Sequence, residues 1–394
     1  MDRMLSRRTL LAGTAALAAG TLSACTSAGS GAGTTPSTGS ATPTPSTTAA
    51  VSTTAPSTAT PRATSSPSPA GKPSPKVAET IADDLNVPWS IVFLASGDAL
   101  VSERDTARIL RITAKGKIST LGEVSGVQAP SGLGEGGLLG LALDPDDQET
   151  LYAYCTTSSD NRVVRLSLAG GTVGRPRAVL TGIPTSTHHH GGRLLFAPDG
   201  NLFVSTGDAE VPARAQNKKS LAGKILRIRR DGSAASGNPF GNRTWTYGHR
   251  NIEGLAFDAD GRLWATEFGD KKADELNLIL KGRNYGWPNV EGRSNDDRYQ
   301  NPEVVWSPTS TCSPAGLAIT RSTAFVGALR GRSLFAVPLD GPHAGTPKEH
   351  FAGDYGRIRS VAAAPDGSLW VTTSNTDGRA TPGRHDDKIL RVTL

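Results

Sequence analysis

Cysteine is nearly absent from this chain, with three residues in 394. Cys25 closes an N-terminal segment, which leaves Cys155 and Cys312 for the rest. Two thiols are too few for a disulfide framework or a cysteine metal site, and the sequence leaves open whether they pair with each other. Charge of one sign is also lacking. The 42 Lys and Arg against 36 Asp and Glu give a net charge of +6, a mild excess without a basic run, which argues against nucleic acid as a partner. Long apolar runs are missing too, since the one near the N-terminus is too short, with the wrong flanks, for a spanning helix. No stretch carries a sustained helical period with capping signals, so little helix is expected.

The first residues, MDRMLSRRTLLAGTAALAAGTLSAC, set the twin arginines Arg7 and Arg8 before a short apolar run that ends Leu22-Ser23-Ala24-Cys25. Residues 1–25 read as a twin-arginine export signal. The ending resembles a bacterial lipoprotein box in which Cys25 receives the lipid; the alternative is a plain secretory signal with a chance cysteine. The expectation is a protein exported from the cytoplasm and held to the cell membrane through that lipid alone. Residues 26–75 are almost wholly Ser, Thr, Ala, Pro and Gly, with Arg62 and Lys72 the only charges. Such a segment buries too little apolar surface to offset its ordering entropy and reads as a disordered tether. Residues 76–394 are long for an ordinary domain but suit a single large β-domain with an ample core.

Along residues 76–394 a weak pattern recurs: a turn carrying Asp or Gly, then an alternating apolar strand. It occurs at 96–100, 144–146, 198–203, 260–264, 320–322 and 365–370. Each instance is followed by a second short strand, at 109–112, 163–166, 225–228, 276–279, 334–337 and 389–392. Two strand signals repeated six times, at a spacing of roughly 45–60 residues, are the signature of radially arranged blades. The predicted fold is all-β: a six-bladed β-propeller of four-stranded antiparallel blades. A sandwich needs fewer strands, and a jelly roll does not repeat so evenly.

The residues with chemistry lie between the repeats. The run Thr187-His188-His189-His190-Gly191-Gly192-Arg193-Leu194 precedes the third turn. If it is extended, side chains alternate, so His188 and His190 share one face and His189 points the other way. A metal triad needs three converging nitrogens, and an extended tripeptide offers at most two. Arg357 and Arg359 straddle one residue, so in a strand both guanidinium forks, which suit carboxylates, face the same side. Residues 247–289 pack Gly248-His249-Arg250-Asn251, Glu267-Phe268-Gly269-Asp270, Asp274-Glu275-Leu276-Asn277 and Asn284-Tyr285-Gly286-Trp287-Pro288 into a span that otherwise reads as strand and turn.

This combination resembles the signature of the glucose/sorbosone dehydrogenase family, soluble quinoprotein enzymes that oxidise aldose sugars using pyrroloquinoline quinone (PQQ) and calcium. The resemblance runs from about residue 77 to the end. It implies that His189 is the general base, imidazole being suited to taking a hydroxyl proton near neutral pH, and that Asp208, in Ser205-Thr206-Gly207-Asp208, orients it. It sets Arg250, Asn251, Arg357 and Arg359 at cofactor-binding positions. Arg330 stands where the glucose enzyme has a lysine, Glu135 where it has a glutamine that touches the cofactor, and His188 where it has an aspartate; Trp306 resembles a tryptophan near the quinone.

For calcium, a hard cation that takes oxygen ligands, the resemblance implies the backbone carbonyls of Gly269 and Asp270, the latter replacing a proline. A second, structural calcium would correspond to Glu275 and Tyr285. The implied reaction oxidises an aldose at its anomeric carbon to a lactone, with hydride passing to the quinone and electrons then to an unidentified acceptor. Two other readings stand beside it: a metal-dependent lactonase-type propeller hydrolase, and a non-catalytic propeller that binds glycans or proteins at the cell surface. Inter-repeat loops shorter than those of the glucose enzyme lean toward a broad aldose specificity. The sequence names neither the sugar nor the oligomeric state, monomer or dimer.

Overall fold

The repeated turns close hairpins. Asp199 Oδ1 accepts the Asn201 N–H at 3.0 Å and Asp366 Oδ1 accepts the Ser368 N–H at 2.9 Å, the side chain taking the place of a backbone turn bond. At the fifth turn Arg321 and Ser322 both take positive φ, 49° and 51°, the mirror-image geometry that matches strand twist in a two-residue hairpin. The computed structural model describes residues 73–394; the export signal, Cys25 and the tether up to residue 72 lie outside it.

The strands form six four-stranded antiparallel sheets. The first blade holds Pro88–Phe93, Ala99–Glu103, Arg108–Ile112 and Ile118–Glu123, and the second Leu138–Asp144, Asp147–Thr156, Asn161–Ser167 and Arg177–Ile183. The third holds Gly191–Phe196, Leu202–Thr206, Lys224–Ile228 and Thr244–Tyr247, and the fourth Ile252–Phe257, Leu263–Glu267, Asp274–Ile279 and Val304–Trp306. The fifth holds Pro314–Thr320, Thr323–Ala328, Ser333–Pro338 and Lys348–His350. The sixth takes Ile358–Ala363, Leu369–Thr373 and Ile389–Thr393 from the C-terminus and its outer strand, Lys76–Ala82, from the other end of the domain. Lys76 pairs with Thr393 and Ala82 with Ile389, so the ring is closed by hydrogen bonds between the two ends of the domain. The two strand signals read in each repeat are the second and third strands of each blade.

The first strands of successive blades pack side by side around the central axis. Small residues allow this. A Cβ on Gly140 would fall on the Gly192 carbonyl of the next blade, and one on Gly254 would lie 2.5 Å from the Ala315 carbonyl. Apolar clusters fill the wedges between blades. Trp89, Tyr152, Tyr154, Leu194 and Leu226 join the first three blades, and Trp264, Trp306, Phe335 and Val337 join the fourth and fifth. Among the described residues helix is limited to Ala213–Gln216 and two 3-10 turns, and no helix is long and apolar enough to cross a membrane. Cys155 and Cys312 are buried in separate clusters, and both are free thiols.

Candidate active site

Loops between blades, together with those joining the second and third strands of a blade, converge at one end of the channel on a cavity of about 220 Å³. Glu135, His188, His189, Arg250, Asn251, Gly269, Asp270, Arg330, Arg357 and Arg359 all line it, so most of the site residues expected from the sequence meet in one place.

His189 sits in the connection from the second blade to the third. Its backbone has φ 61°, a left-handed conformation that breaks the two-residue period of an extended chain. The expected alternation of the three histidines therefore fails. His188 and His189 both face the cavity, whereas His190 is buried, its Nδ1 2.9 Å from Asn161 Oδ1. Burial holds the His190 imidazole below its usual range.

His189 Nδ1 lies 2.7 Å from Asp208 Oδ1. Asp208 is wholly buried, and its carboxylate accepts two further bonds, the Glu210 N–H on Oδ1 at 2.9 Å and the Trp287 indole N–H on Oδ2 at 2.8 Å. A carboxylate on Nδ1 fixes the proton there and leaves Nε2 as the free lone pair. The approach of the two loops depends on Gly207, whose hypothetical Cβ would fall on the His189 carbonyl. Beside the dyad, His188 Nδ1 lies 3.0 Å from Glu210 Oε1. Burial opposes ionisation of Glu210, but hydrogen bonds from the His188 ring and backbone outweigh it and hold the carboxyl at about 2.

Five arginines line the cavity: Arg250, Arg330, Arg357, Arg359 and Arg379. Arg357 Nε and Nη2 donate to Asp377 Oδ2 at 3.0 and 2.9 Å, and Arg359 Nη1 to Glu253 Oε2 at 2.7 Å. Both are buried and both line the cavity, as their spacing in the strand predicts. Arg250 stacks over the Trp287 ring at 5.5 Å and reaches Asp270 Oδ1 at 3.2 Å, while its Nε is buried without a partner. Arg330 is exposed and forms no ion pair among the described residues. Asn251 takes a structural part as well, its Oδ1 accepting the Gly191 N–H at 2.8 Å. Glu135 Oε2 accepts the His189 N–H at 3.0 Å and Oε1 meets Arg379 Nη2 at 3.3 Å. Burial would raise its carboxyl, but these contacts outweigh burial and hold it below the usual range.

The lining carboxylates are Glu135, Glu253, Asp270 and Asp274. Burial raises Glu253 and, to about 7, Asp274, and five arginines face these four carboxylates, so the lining carries an excess of positive charge. That charge and the orphaned Arg250 Nε suit a polycarboxylate of the PQQ kind.

The turn at 269–273 is held by one side chain. Glu291 Oε1 accepts the N–H groups of Asp270, Lys271, Lys272 and Ala273 at 2.7–3.0 Å. Asp274 Oδ1 accepts the Gly269 N–H at 2.9 Å. The Gly269 and Asp270 carbonyls accept no hydrogen bond among the described residues, which leaves them available to a hard cation.

Behind this turn a void of about 10 Å³ is lined by Glu267, Glu275, Tyr285 and Glu291. Burial and the neighbouring Glu267 charge raise the Glu275 carboxyl to about 8. The space is fit for one ion or water, and although Arg250 also lines it, its carboxyl oxygens are of the kind calcium takes.

Trp306 is the exception among the expected residues. It ends the outermost strand of the fourth blade, buried against Phe335 at 5.5 Å between ring centroids, and does not line the cavity. An aromatic side chain on an outer strand is drawn into the wedge between blades by apolar burial. The aromatic groups beside the arginines are Phe268 and Trp287. Sequence reasoning also missed Glu253, Asp377 and Arg379. For the first two there was a signal, because arginines on a buried strand need carboxylate partners.

The sequence matches the Glucose / Sorbosone dehydrogenase family over residues 85–385. Among solved structures, the PQQ-bound form of aldose sugar dehydrogenase from Streptomyces coelicolor is 45% identical, with a TM-score of 0.79, covering 83% of this chain and 99% of that one. The aldose sugar dehydrogenase YliI of Escherichia coli is 29% identical over 76% of this chain and 90% of its own length. Quinoprotein glucose dehydrogenase B of Acinetobacter calcoaceticus is 32% identical over 56% of this chain, and the match spans about half of that protein, 54%. The chain belongs to the glucose/sorbosone dehydrogenase family.

Proposed function

We propose that the protein is a PQQ- and calcium-dependent aldose sugar dehydrogenase that oxidises the anomeric carbon of its sugar to a lactone. The observation that carries this reading is the His189–Asp208 pair, 2.7 Å apart, set in the wall of a cavity ringed by guanidinium groups. In this reading His189 Nε2 takes the anomeric hydroxyl proton. Asp208, buried and accepting from three donors, stabilises the imidazolium that results. Bound PQQ supplies the two-electron acceptor that protein side chains lack.

Arg250, Arg330, Arg357 and Arg359 would hold its carboxylates, and Glu135 and Asn251 keep the His189 loop in place. The carbonyls of Gly269 and Asp270 would hold the active-site calcium, and Glu275 with Tyr285 the second. A lactonase-type site needs Glu, Asn and Asp oxygens converging on a metal. Of the carboxylates that line this cavity, Glu135 meets Arg379 instead, Glu253 meets Arg359 and Asp270 meets Arg250, and the exposed group of Asp83, Asp84 and His385 does not line it.

The twin arginines Arg7 and Arg8 and the lipobox Cys25 support export and a lipid anchor; electrons would then pass to an acceptor outside the cytoplasm. Reconstitution tests the reading: purified domain, PQQ, calcium, an artificial acceptor and a panel of aldoses. Acceptor reduction that requires all of these is expected. If no sugar reduces the acceptor and PQQ leaves the melting temperature unmoved, the reading fails.

A further inference from the structure

The Tyr285-Gly286-Trp287-Pro288 corner contributes more than shape. Its backbone is tied to the loop that carries Arg250, the Trp287 N–H donating to the Gly248 carbonyl at 2.9 Å and the Tyr285 N–H to the Tyr247 carbonyl at 2.9 Å. On the other side Gln216 Nε2 donates to the Trp287 carbonyl at 2.6 Å. The indole is thereby held between two functional groups, one from a loop within the third blade and one from the connection to the fourth. Its ring lies under the Arg250 guanidinium at 5.5 Å, and its Nε1–H donates to Asp208 Oδ2 at 2.8 Å.

That last bond has no substitute. Asp208 is fully shielded from solvent, Oδ1 is taken by His189 and Glu210, and Trp287 is the one donor to Oδ2 among the described residues. A buried carboxylate oxygen without a donor is costly. Without Trp287 the carboxylate would rotate or draw in water, and the oxygen aimed at His189 Nδ1 would no longer be fixed.

We infer that Trp287 is a positioning residue that sets the His189–Asp208 pair and the Arg250 clamp in one mutual geometry, its N–H serving the first and its ring the second. This rests on the proposed dehydrogenase reaction for its kinetic consequence, but the geometry can be tested without turnover.

Two variants separate the roles. Trp287→Phe keeps a flat ring under Arg250 and removes the donor. Trp287→His restores a five-membered-ring N–H at the position of the indole nitrogen and gives up the larger ring. The first measurement is of ring 15N shifts in histidine-labelled, cofactor-free protein, with the His189 signals assigned by loss in His189→Gln. Wild type and Trp287→His should show His189 in the Nδ1–H form, and Trp287→Phe a mixture of tautomers.

In reconstituted protein, Trp287→Phe should lose about tenfold in kcat, the scale of one hydrogen bond. PQQ affinity, measured by titration of the melting temperature, should stay within about twofold, and the sugar KM should be unchanged. Trp287→His should recover most of kcat and bind PQQ more weakly. The inference is overturned if Trp287→Phe leaves both the tautomer and kcat as in wild type, or if both variants lose the tautomer and kcat together. If no variant and no wild type turns over sugar, the dehydrogenase reading fails while the 15N comparison still decides the positioning role.

Discussion

Replacing Asp208 by Asn removes one charge and almost no volume, and the structure sets the size of the effect. In the wild type both carboxylate oxygens accept, Oδ1 from His189 and Glu210 and Oδ2 from Trp287. An amide has one accepting end. With its oxygen toward His189, its NH2 faces the Trp287 N–H, and a buried donor is left unsatisfied at a cost of about 1–3 kcal/mol. Turned the other way, its NH2 faces His189 Nδ1, drives the ring proton to Nε2 and removes the base. For turnover the lost charge dominates. A carboxylate and an imidazolium centred about 4 Å apart attract by about 4 kcal/mol at an effective dielectric of about 20, and a neutral amide returns about 1 kcal/mol of this. The remaining ~3 kcal/mol corresponds to a loss of roughly a hundredfold in kcat. The assay is steady-state reduction of an artificial acceptor by reconstituted enzyme, paired with a thermal melt to confirm that the domain is folded. A folded Asp208→Asn protein with kcat within about threefold of wild type would refute the electrostatic reasoning.

The Glu275 carboxyl, raised from 4.5 to about 8 by burial and by Glu267, keeps a proton in the folded, metal-free domain that the unfolded chain has already released. The stability it lends is present at low pH and is lost as pH rises from about 4.5 through 8. Because calcium competes with that proton, the rise in melting temperature on adding calcium should be larger at pH 8.5 than at pH 6, roughly tenfold or more in apparent affinity; equal gains would remove Glu275 from the metal. Gly207→Ala would drive a methyl onto the His189 carbonyl, with Asn251 Oδ1 only 3.0 Å away, and should cost about 1–3 kcal/mol of stability along with most of the activity, read by denaturant titration. Burial pushes the Cys155 thiol to about 12 and raises Cys312 well above its usual range. Neither thiol should therefore react with a disulfide reagent until the domain unfolds, when both should; fast labelling of native protein would contradict their burial.

Much of the site could be read before the fold was known, for a local reason. Arg357 and Arg359 share a side because a strand has a period of two. Gly207-Asp208 ends a strand that must return past the His189 loop. The histidine run misled because one residue, His189, takes a left-handed conformation that no propensity of its neighbours foretells, turning His188 and His189 to the same cavity. Trp306 misled differently, since a tryptophan on a strand looks the same in sequence whether it faces a ligand or the wedge between blades. Glu253, Asp377, Arg379 and Glu291 were passed over because each matters only through a partner roughly 20 to 250 residues away.

The sequence by itself determined the number of blades, since turn chemistry and strand alternation act within a few residues and repeat six times. It also determined the family to which the chain belongs. The tertiary structure decided how the ring closes, pairing Lys76–Ala82 with Ile389–Thr393, and which oxygen of Asp208 meets which donor. Those outcomes depend on the packing of inner strands through residues such as Gly140 and Gly254, where the absence of a side chain lets neighbouring backbones touch. Contacts of that kind exist only after distant segments have come together, and their geometry, more than the identity of any residue, makes His189 and the arginines a single site.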